Sequence, residues 1–359
     1  MHPLSLLGGL LLIVTVLWDA FETVVLPRTV TRRFRLARFY FRNTWRSWAG
    51  VARTIDSDSR RERFLAVYGP VSLLGLLMVW AVGLIVGFAV LHWSTGSQLQ
   101  TPTGQARFVD DLYMSGTTFF TLGLGDVHPV GRVARLLTVA EGGTGFAFLA
   151  IVIAYFPVLY ESFARREVRL TLLDAWAGSP PSAGEVLRRL AEAGELKALD
   201  SFLKDWEYWC SELLESHISN PVVAFFRSQH QRQSWVSALA AIVAGIEGLP
   251  TWQAHVTFAI ARHAAVDLTQ VLYARPDVTA DRLTPDDLEQ LRRHLEAVGL
   301  RPNRSPDVDT RLVQLRRSYE PYVVGLGRSL MMPVPRWWRE RPARDNWQTS
   351  PRRDGGPHL

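Results

Sequence analysis

The chain has 359 residues, of which 48% are apolar and 21% are charged. These averages match a soluble protein, but residues 1–165 carry 15 basic and 10 acidic side chains, whereas residues 166–359 carry 25 and 24. The uneven charge, together with long uncharged runs, excludes a single soluble globule and a disordered chain. The lone cysteine, Cys210, excludes a disulfide framework and any cysteine-based metal site.

Three apolar segments are long enough to cross a bilayer, which takes about 20 helical residues. They run from Pro3 to Pro27, from Val71 to Trp93 and from Val133 to Tyr160. The first segment lacks a basic region before it and a small-residue cleavage site after it, which favours a retained helix over a signal peptide. A shorter stretch, Phe108 to Phe120, cannot span and is typical of a re-entrant element.

The arginines predict how these segments are oriented. The loop from Arg28 to Arg63 holds eleven arginines and three acids, and Arg165 and Arg166 follow the third segment. Basic loops stay in the cytoplasm, and the loop between the second and third segments has no basic excess. We therefore expect a multi-pass protein of the plasma (inner) membrane, with the N-terminus outside and the C-terminal part in the cytoplasm.

The arginine-rich loop also has aromatic residues at helical spacing. This pattern predicts an amphipathic helix at the inner interface, with its basic face toward anionic inner-leaflet lipids. A voltage sensor is excluded because these arginines lie outside the apolar segments. Near the inner end of the first segment, Asp19 and Glu22 are predicted to pair with Arg32, Arg33 or Arg35.

The segment from Thr121 to Asp126 reads Thr-Leu-Gly-Leu-Gly-Asp and is called the filter motif below. A dehydrated cation needs a cage of oxygens, which consecutive backbone carbonyls supply if they point to one axis. That conformation needs residues that tolerate unusual backbone angles, hence the alternating glycines. The short helix predicted before the motif would aim its negative carbonyl end at the cation.

With its flanking segments, from about Val71 to Glu161, the motif resembles the pore module of potassium channels. The Thr-x-x-Thr-x-Gly-Tyr-Gly-Asp pattern of that family appears from Thr118 to Asp126, with Leu124 in place of tyrosine. The chain is thus similar to bacterial two-transmembrane pore-loop channels, with an extra N-terminal helix. The resemblance implies a homotetramer that conducts potassium passively and needs no cofactor beyond the permeant ion.

The resemblance also implies roles for individual residues. Ion sites would be formed by the hydroxyl of Thr121 and by the carbonyls of Thr121, Leu122, Gly123 and Leu124, with Gly125 at the outer rim. Asp126 would lie behind the filter and bond to Tyr113 or Thr117. Because Leu124 lacks the phenol that braces the filter in this family, a non-selective cation channel is the first alternative.

Four positions of the third segment stand out. Glu141 is ionisable, so it either lines the ion pathway or braces the pore helix from behind, and we favour the brace. Gly142, Gly143 and Gly145 form either a gating hinge or a surface for close helix packing. Pro157 would bend the helix near an inner gate.

Helical periodicity continues through the second half, and turn signals separate its helices. The predicted helices are Glu185–Ala193, Leu196–Ser216, Pro221–Glu247, Trp252–Ala274, Pro285–Val298 and Asp309–Tyr319. The sequence shows no nucleotide-binding glycine motif, paired metal-binding histidines or catalytic constellation, so we expect no enzyme. The arginine- and proline-rich end predicts disorder.

The predicted fold is an all-α membrane protein with three transmembrane helices, a re-entrant pore helix and a cytoplasmic helical domain. Its domains are an N-terminal transmembrane helix (1–27), a basic amphipathic linker (28–67), the pore domain (68–164), the helical cytoplasmic domain (165–330) and a basic disordered tail (331–359). The predicted partners are further copies of the chain, the bilayer and an unknown cytoplasmic regulator, without nucleic acid. The second alternative is a membrane-anchored receptor or interaction protein with a vestigial pore.

Overall fold

The computed structural model describes residues 3–26, 35–102, 104–229, 233–245 and 251–338. Helices make up most of the described chain, which confirms the all-α character. Two short strands, β1 (Leu99–Gln100) and β2 (His128–Pro129), pair in antiparallel register. The contacts divide the chain into two compact units, Met1–Tyr160 and Glu161–Leu359.

In the described part of the chain, three helical segments are long and apolar enough to cross a membrane, as predicted. They are α1 (Pro3–Ala20) with the π-helical turn Phe21–Val25, α3 (Asp58–Ser94) and α5 (Arg132–Ala177). The helix α3 begins before the predicted apolar segment because no glycine or proline interrupts residues 58–68. The helix α5 continues to Gly178, whose φ of +69° provides a left-handed cap.

Small residues bring α1 close to α3. A Cβ atom on Gly9 would lie 2.9 Å from the carbonyl oxygen of Gly87, and one on Gly87 would lie 2.6 Å from Ile13 Cγ1. A Cβ atom on Gly83 would lie 2.9 Å from Val16 Cγ2. Glycine at these positions therefore allows the two helices to approach, as small residues do between membrane helices.

The helix α2 (Leu36–Arg53) starts at a carboxylate supplied by α1. The Oδ2 atom of Asp19 accepts hydrogen bonds from the Ala37 amide at 3.0 Å and from Trp80 Nε1 at 2.9 Å. Asp19 thus satisfies one free N–H group of α2 and joins α1, α2 and α3. Of the arginines predicted to pair with Asp19, Arg35 interacts with the carboxylate by charge, while the hydrogen bonds come from the amide and the indole.

The second acid, Glu22 of the π-helical turn, also faces Arg35. The carboxylate of Glu22 lies 3.8 Å from Nε of Arg35 and also accepts a hydrogen bond from Trp18 Nε1 at 2.7 Å. Arg32 and Arg33, the other predicted partners, lie outside the described residues. Asp19 and Glu22 therefore have different hydrogen-bond partners.

The second unit is a helical bundle built around one buried helix. Its helices are α6 (Ala183–Glu192), α7 (Leu199–Ser219), α8 (Trp235–Gly245), α9 (Trp252–Val271), α10 (Pro285–Ala297), α11 (Pro306–Arg317) and α12 (Glu320–Leu330), with short 3-10 helices at Leu196–Ala198 and Pro221–Phe225. Every residue from Trp235 to Ala244 is buried. A helix that is apolar on all sides belongs at the centre of a core, which is where α8 lies.

The predicted continuous helix from Pro221 to Glu247 was wrong. Residues 226–229 and 233–234 are not helical, and α8 begins only at Trp235. The guanidinium of Arg166 binds the carbonyls of Val223 at 3.0 Å and Phe226 at 2.7 Å. A long-range partner thus takes two carbonyls that a continuous helix would have used itself. The predicted helices end at Tyr319 and do not include α12.

The segment 331–338 packs against the bundle, although we predicted disorder from residue 331. Met332 and Trp337 are buried, and the Gly184 amide donates to the Trp337 carbonyl at 2.9 Å. The Arg316 guanidinium lies 5.7 Å from the centre of the Trp337 ring. These apolar side chains outweigh the proline- and arginine-rich composition, while residues 339–359 lie outside the described part of the chain.

Candidate ion-conduction site

The filter motif follows directly from a short helix, α4 (Phe108–Phe119). The Leu122 amide donates to the carbonyl of Thr117 at 2.8 Å, and the Thr121 amide donates to that of Thr118 at 3.0 Å. The last carbonyls of α4 therefore hold the beginning of the motif. The negative end of the helix dipole points in the direction in which the chain enters the motif.

The backbone of the motif reverses its handedness at every second residue. Thr121, Gly123 and Gly125 have φ values of +58°, +55° and +79°, whereas Leu122 and Leu124 do not have positive φ. In a regular strand successive carbonyls alternate in direction, and a reversal at every second residue turns them toward the same side. Only Thr121 among the three carries a Cβ atom, so it bears a conformational cost of about 1–2 kcal/mol.

A single chain leaves the filter motif uncovered. Every residue from Thr121 to Asp126 is exposed, and the side chains of Leu122 and Leu124 expose 62% and 64% of their surface. An apolar side chain gains about 25 cal/mol for each Å² that it buries. The motif is thus open to its surroundings in a single copy of the chain.

A hydrogen bond joins the end of the motif to the middle of α4. The Tyr113 hydroxyl donates to the Asp126 carboxylate, with distances of 3.2 Å to Oδ1 and 3.1 Å to Oδ2. The hydroxyl of Thr117, the other partner considered from the sequence, donates instead to the Met114 carbonyl at 3.0 Å. Tyr113 is thus the partner of Asp126, and Thr117 contributes its carbonyl to the motif.

A buried polar cluster lies on another side of α4. His92 from α3, Asp111 and Ser115 from α4 and Glu141 from α5 have no exposed surface. Ser115 Oγ donates to Glu141 Oε2 at 3.3 Å, and His92 Nε2 lies 3.6 Å from the same oxygen. Ser97 Oγ donates to Asp111 Oδ2 at 2.7 Å. From the sequence we singled out only Glu141, because no local spacing relates His92 or Asp111 to it.

The three glycines of α5 have different surroundings. A Cβ atom on Gly145 would lie 2.1 Å from the Phe119 carbonyl oxygen, whereas one on Gly142 would lie 3.7 Å from Thr118 Cγ2. A Cβ atom on Gly143 would meet no atom within 4 Å. Gly145 is therefore a close-packing position at the end of α4, and Gly143 has free space beside it.

That space is part of an apolar cavity of about 350 Å³ between α1, α3 and α5. Its lining includes Trp80, Phe148 and Tyr155. Pro157 lies within α5, two residues beyond Tyr155, and the helix is assigned on both sides of it. The cavity thus adjoins the region that the sequence marks as a hinge.

The described residues of the second unit show no comparable site for an ion. His217 is buried, with Nδ1 2.9 Å from the Leu213 carbonyl oxygen and Nε2 3.3 Å from Arg166 Nη1. Burial raises the pKa of the Cys210 thiol, so it stays protonated and unreactive. Among the described residues, no group of three or more His, Cys, Asp or Glu is placed to hold a metal ion.

Residues 75–161 match the family model described as "Ion channel". The uncharacterized membrane protein YdjJ of Bacillus subtilis (strain 168) is 23% identical over 201 residues, which cover 54% of this chain and 56% of that protein. Protein LctB of Bacillus caldotenax and of Geobacillus stearothermophilus is 30% identical over 90 residues, which cover 22% of this chain and 66% of each relative. No solved structure matches the chain.

The family match begins inside α3 and ends at Glu161, so it includes α4, the filter motif and the apolar part of α5. The chain spans just over half of the Bacillus subtilis relative and just under two thirds of the other two. With three apolar helices and a membrane protein as a relative, the chain is a membrane protein. Residues 75–161 therefore match the ion channel family, as the resemblance of the filter motif predicted.

Proposed function

We propose that the protein is a potassium-selective channel that conducts passively through a filter made by four copies of the chain. The observation that carries the proposal is the alternating backbone of Thr121, Gly123 and Gly125. Carbonyls turned to one side form rings of oxygen that replace the hydration shell of K⁺. The ligands are the carbonyls from Thr121 to Leu124 and the Thr121 hydroxyl, with Gly125 at the outer rim.

The exposure of the filter motif supports assembly into a homotetramer. Apolar side chains of α5 are also exposed, among them Leu136, Val139 and Phe146. Further copies and lipid cover such surfaces in a bilayer, and each further copy adds one wall of carbonyls to the site. The resemblance to potassium channels supports four copies.

Three contacts support the filter in this proposal. Tyr113 holds Asp126 at the end of the motif, and Ser115 of α4 bonds to the buried Glu141 of α5. The Thr117 carbonyl accepts a hydrogen bond from the Leu122 amide. These contacts fix α4 and the motif to the surrounding helices, so that the carbonyls keep their spacing when an ion leaves.

Conduction is gated in this proposal by movement of α5. Gly142 and Gly143 leave its backbone free to bend, and Pro157 removes one helical hydrogen bond nearer its end. The second unit begins at Glu161, within α5, and would regulate that movement through a ligand or partner. The arginine distribution supports a cytoplasmic location for this unit in the plasma membrane orientation described above.

A bi-ionic reversal potential tests the proposal. The purified full chain is placed in a planar bilayer with potassium on one side and sodium on the other, and barium is added afterwards. We expect a reversal near the potassium equilibrium potential and block by barium. A reversal near zero would replace the proposal with a non-selective cation channel. The lack of selectivity would then be explained by Leu124, which has no phenol to brace the filter.

Two matched glycine substitutions test whether the filter motif is the conduction site. Gly123→Ala places a Cβ atom on a residue with φ of +55°, whereas Gly116→Ala adds one in α4, where nothing lies within 4 Å. We expect Gly123→Ala to abolish barium-sensitive current and Gly116→Ala to retain it. Equal currents in both variants would contradict conduction through this motif. If the native chain shows no current even after residues beyond Arg166 are deleted, the receptor with a vestigial pore takes its place.

A further inference from the structure

The buried polar cluster behind α4 has more polar atoms than hydrogen bonds. Both ring nitrogens of His92, Oδ1 of Asp111 and Oε1 of Glu141 have no hydrogen-bond partner among the residues that the structure describes. All three side chains have no exposed surface. Native proteins pair most buried polar groups, and a group of orphaned ones calls for an explanation.

Two acids from two different elements face the imidazole of His92. Glu141 Oε2 of α5 lies 3.6 Å from His92 Nε2, and Asp111 of α4 is close enough for a charge interaction with the ring. The half-buried Asp110 adjoins Asp111. One oxygen of each buried acid accepts a hydrogen bond from a serine hydroxyl. The donor is Ser97 for Asp111 and Ser115 for Glu141. The remaining oxygens and the ring nitrogens are left to share protons.

The number of protons decides whether this cluster carries a net charge. One histidine and two carboxyl groups are neutral overall when they hold two protons between them. A third proton makes the cluster positive, and loss of the second makes it negative. A buried net charge is costly, so the packed arrangement of α3, α4 and α5 favours the two-proton form.

We propose that His92, Asp111 and Glu141 form a proton-binding site that controls conduction from behind the pore helix. The two-proton form holds α4 against α3 and α5, and gain or loss of a proton loosens α4. A movement of α4 is passed to the filter motif through Thr117, which lies two residues after Ser115. The Thr117 carbonyl accepts a hydrogen bond from the Leu122 amide. The inference rests on the proposed channel function for its effect on ion flux, but proton binding itself does not.

Potassium flux at varied pH tests the effect on conduction. The full chain is reconstituted in liposomes, and potassium efflux is measured with the same pH on both sides. We expect a bell-shaped profile, because the third proton lowers flux on the acid side and loss of the second lowers it on the alkaline side. In His92→Gln the acid decline should disappear while the alkaline decline remains. An acid decline that persists in His92→Gln overturns the proposal.

The same substitution at an exposed histidine is the control. His128 lies at the surface next to the filter motif, with Nδ1 3.3 Å from the Gly125 carbonyl oxygen. Only the shape of the pH profile is compared, and His128→Gln should keep both declines. Loss of the acid decline in His128→Gln, with its retention in His92→Gln, would move the proton site to the mouth of the pore.

Infrared spectroscopy detects the protons without any ion flux. The two-proton form contains at least one carboxylic acid at neutral pH, whose C=O band is distinct from that of a carboxylate. We expect this band in the full chain in liposomes and a weaker band in Glu141→Gln or Asp111→Asn. If flux is absent but the band behaves as expected, the channel proposal fails and the proton site stands. If neither substitution changes the band, the proton site fails.

Discussion

The Tyr113 hydroxyl is the side-chain group that holds Asp126 at the end of the filter motif. In Tyr113→Phe the carboxylate loses this donor, and the end of the motif loses a constraint. We expect the bi-ionic reversal potential to move toward zero, because a less constrained filter discriminates less between potassium and sodium. Tyr160→Phe is the matched control, since it removes the same atom from a largely exposed ring of α5. A reversal potential that is identical in both variants would mean that this hydrogen bond does not affect selectivity.

Gly145 and Gly143 distinguish close packing from freedom to bend. Gly145→Ala forces a Cβ atom to within 2.1 Å of the Phe119 carbonyl oxygen, and overpacking of this kind costs about 1–3 kcal/mol. We expect a lower unfolding temperature in detergent for Gly145→Ala. Gly143→Ala, which meets no atom within 4 Å, should unfold at the native temperature or slightly above it. If both variants unfold at one temperature, α5 does not approach α4 this closely.

His217 makes the stability of the second unit depend on pH. Burial, and then the Arg166 guanidinium, hold the pKa of His217 well below its ordinary value of 6.5. Below pH 6.5 the unfolded chain therefore binds a proton that the folded chain does not, and the free energy of unfolding falls by about 1.4 kcal/mol per pH unit. Above pH 6.5 the contribution is constant.

Denaturant unfolding of the full chain, followed by tryptophan fluorescence, measures this dependence. The measurements run from about pH 8 to about pH 5, a range that includes the ordinary pKa of histidine. The Trp235 ring lies 4.9 Å from the His217 ring and reports on this part of the core. His217→Gln should have a smaller loss of stability on acidification than the native chain, whatever its stability at pH 8. An equal loss in both proteins would assign the acid sensitivity to other groups.

At the scale of elements, the Asp19 carboxylate couples three helices. Asp19→Asn and Trp80→Phe each remove part of the hydrogen bond between α1 and α3, and an unsatisfied buried group costs about 1–3 kcal/mol. The double variant should be less destabilised than the sum of the two, because the second substitution removes a partner that is already lost. Thermal unfolding in detergent of the four proteins gives the coupling, expected at about 0.5–3 kcal/mol. Purely additive effects would mean that the two side chains act independently.

The membrane elements were predictable because their signal is local. A predominantly apolar run of sufficient length gives the helix in each of the three spans, whatever the rest of the chain does. The boundaries in the second unit were less predictable because they depend on distant partners. Arg166 ends one predicted helix by binding Val223 and Phe226, and Trp337 holds a segment whose own composition predicts disorder.

The same distinction applies to the candidate site. The filter motif is readable because its backbone requirement falls on consecutive residues, with glycine where φ is positive. The polar cluster is not readable, since His92, Asp111 and Glu141 lie on three helices and no spacing in the sequence relates them. The sequence singles out Glu141 only because it is ionisable within an apolar segment. Its neighbours His92 and Asp111 are identified by the structure.

At the scale of the whole molecule, the exposed filter motif predicts the number of copies. We expect native mass spectrometry of the detergent-solubilised protein to give four chains of 40.5 kDa per particle. Cross-linking in the membrane before extraction is the control for loss of subunits in detergent. A dimer that persists after cross-linking would contradict the proposal, because two copies of one filter motif do not complete a ring of carbonyls.

The contacts of Asp19 also indicate how sequences of this architecture are free to diverge. One partner of the carboxylate is the backbone amide of residue 37, which every residue except proline supplies, and the other is the indole of Trp80. Covariation is therefore expected between positions 19 and 80, and an acid at 19 should accompany tryptophan at 80. Position 37 is constrained only in size, because Ala37 is buried, and it should drift among small residues independently of the other two.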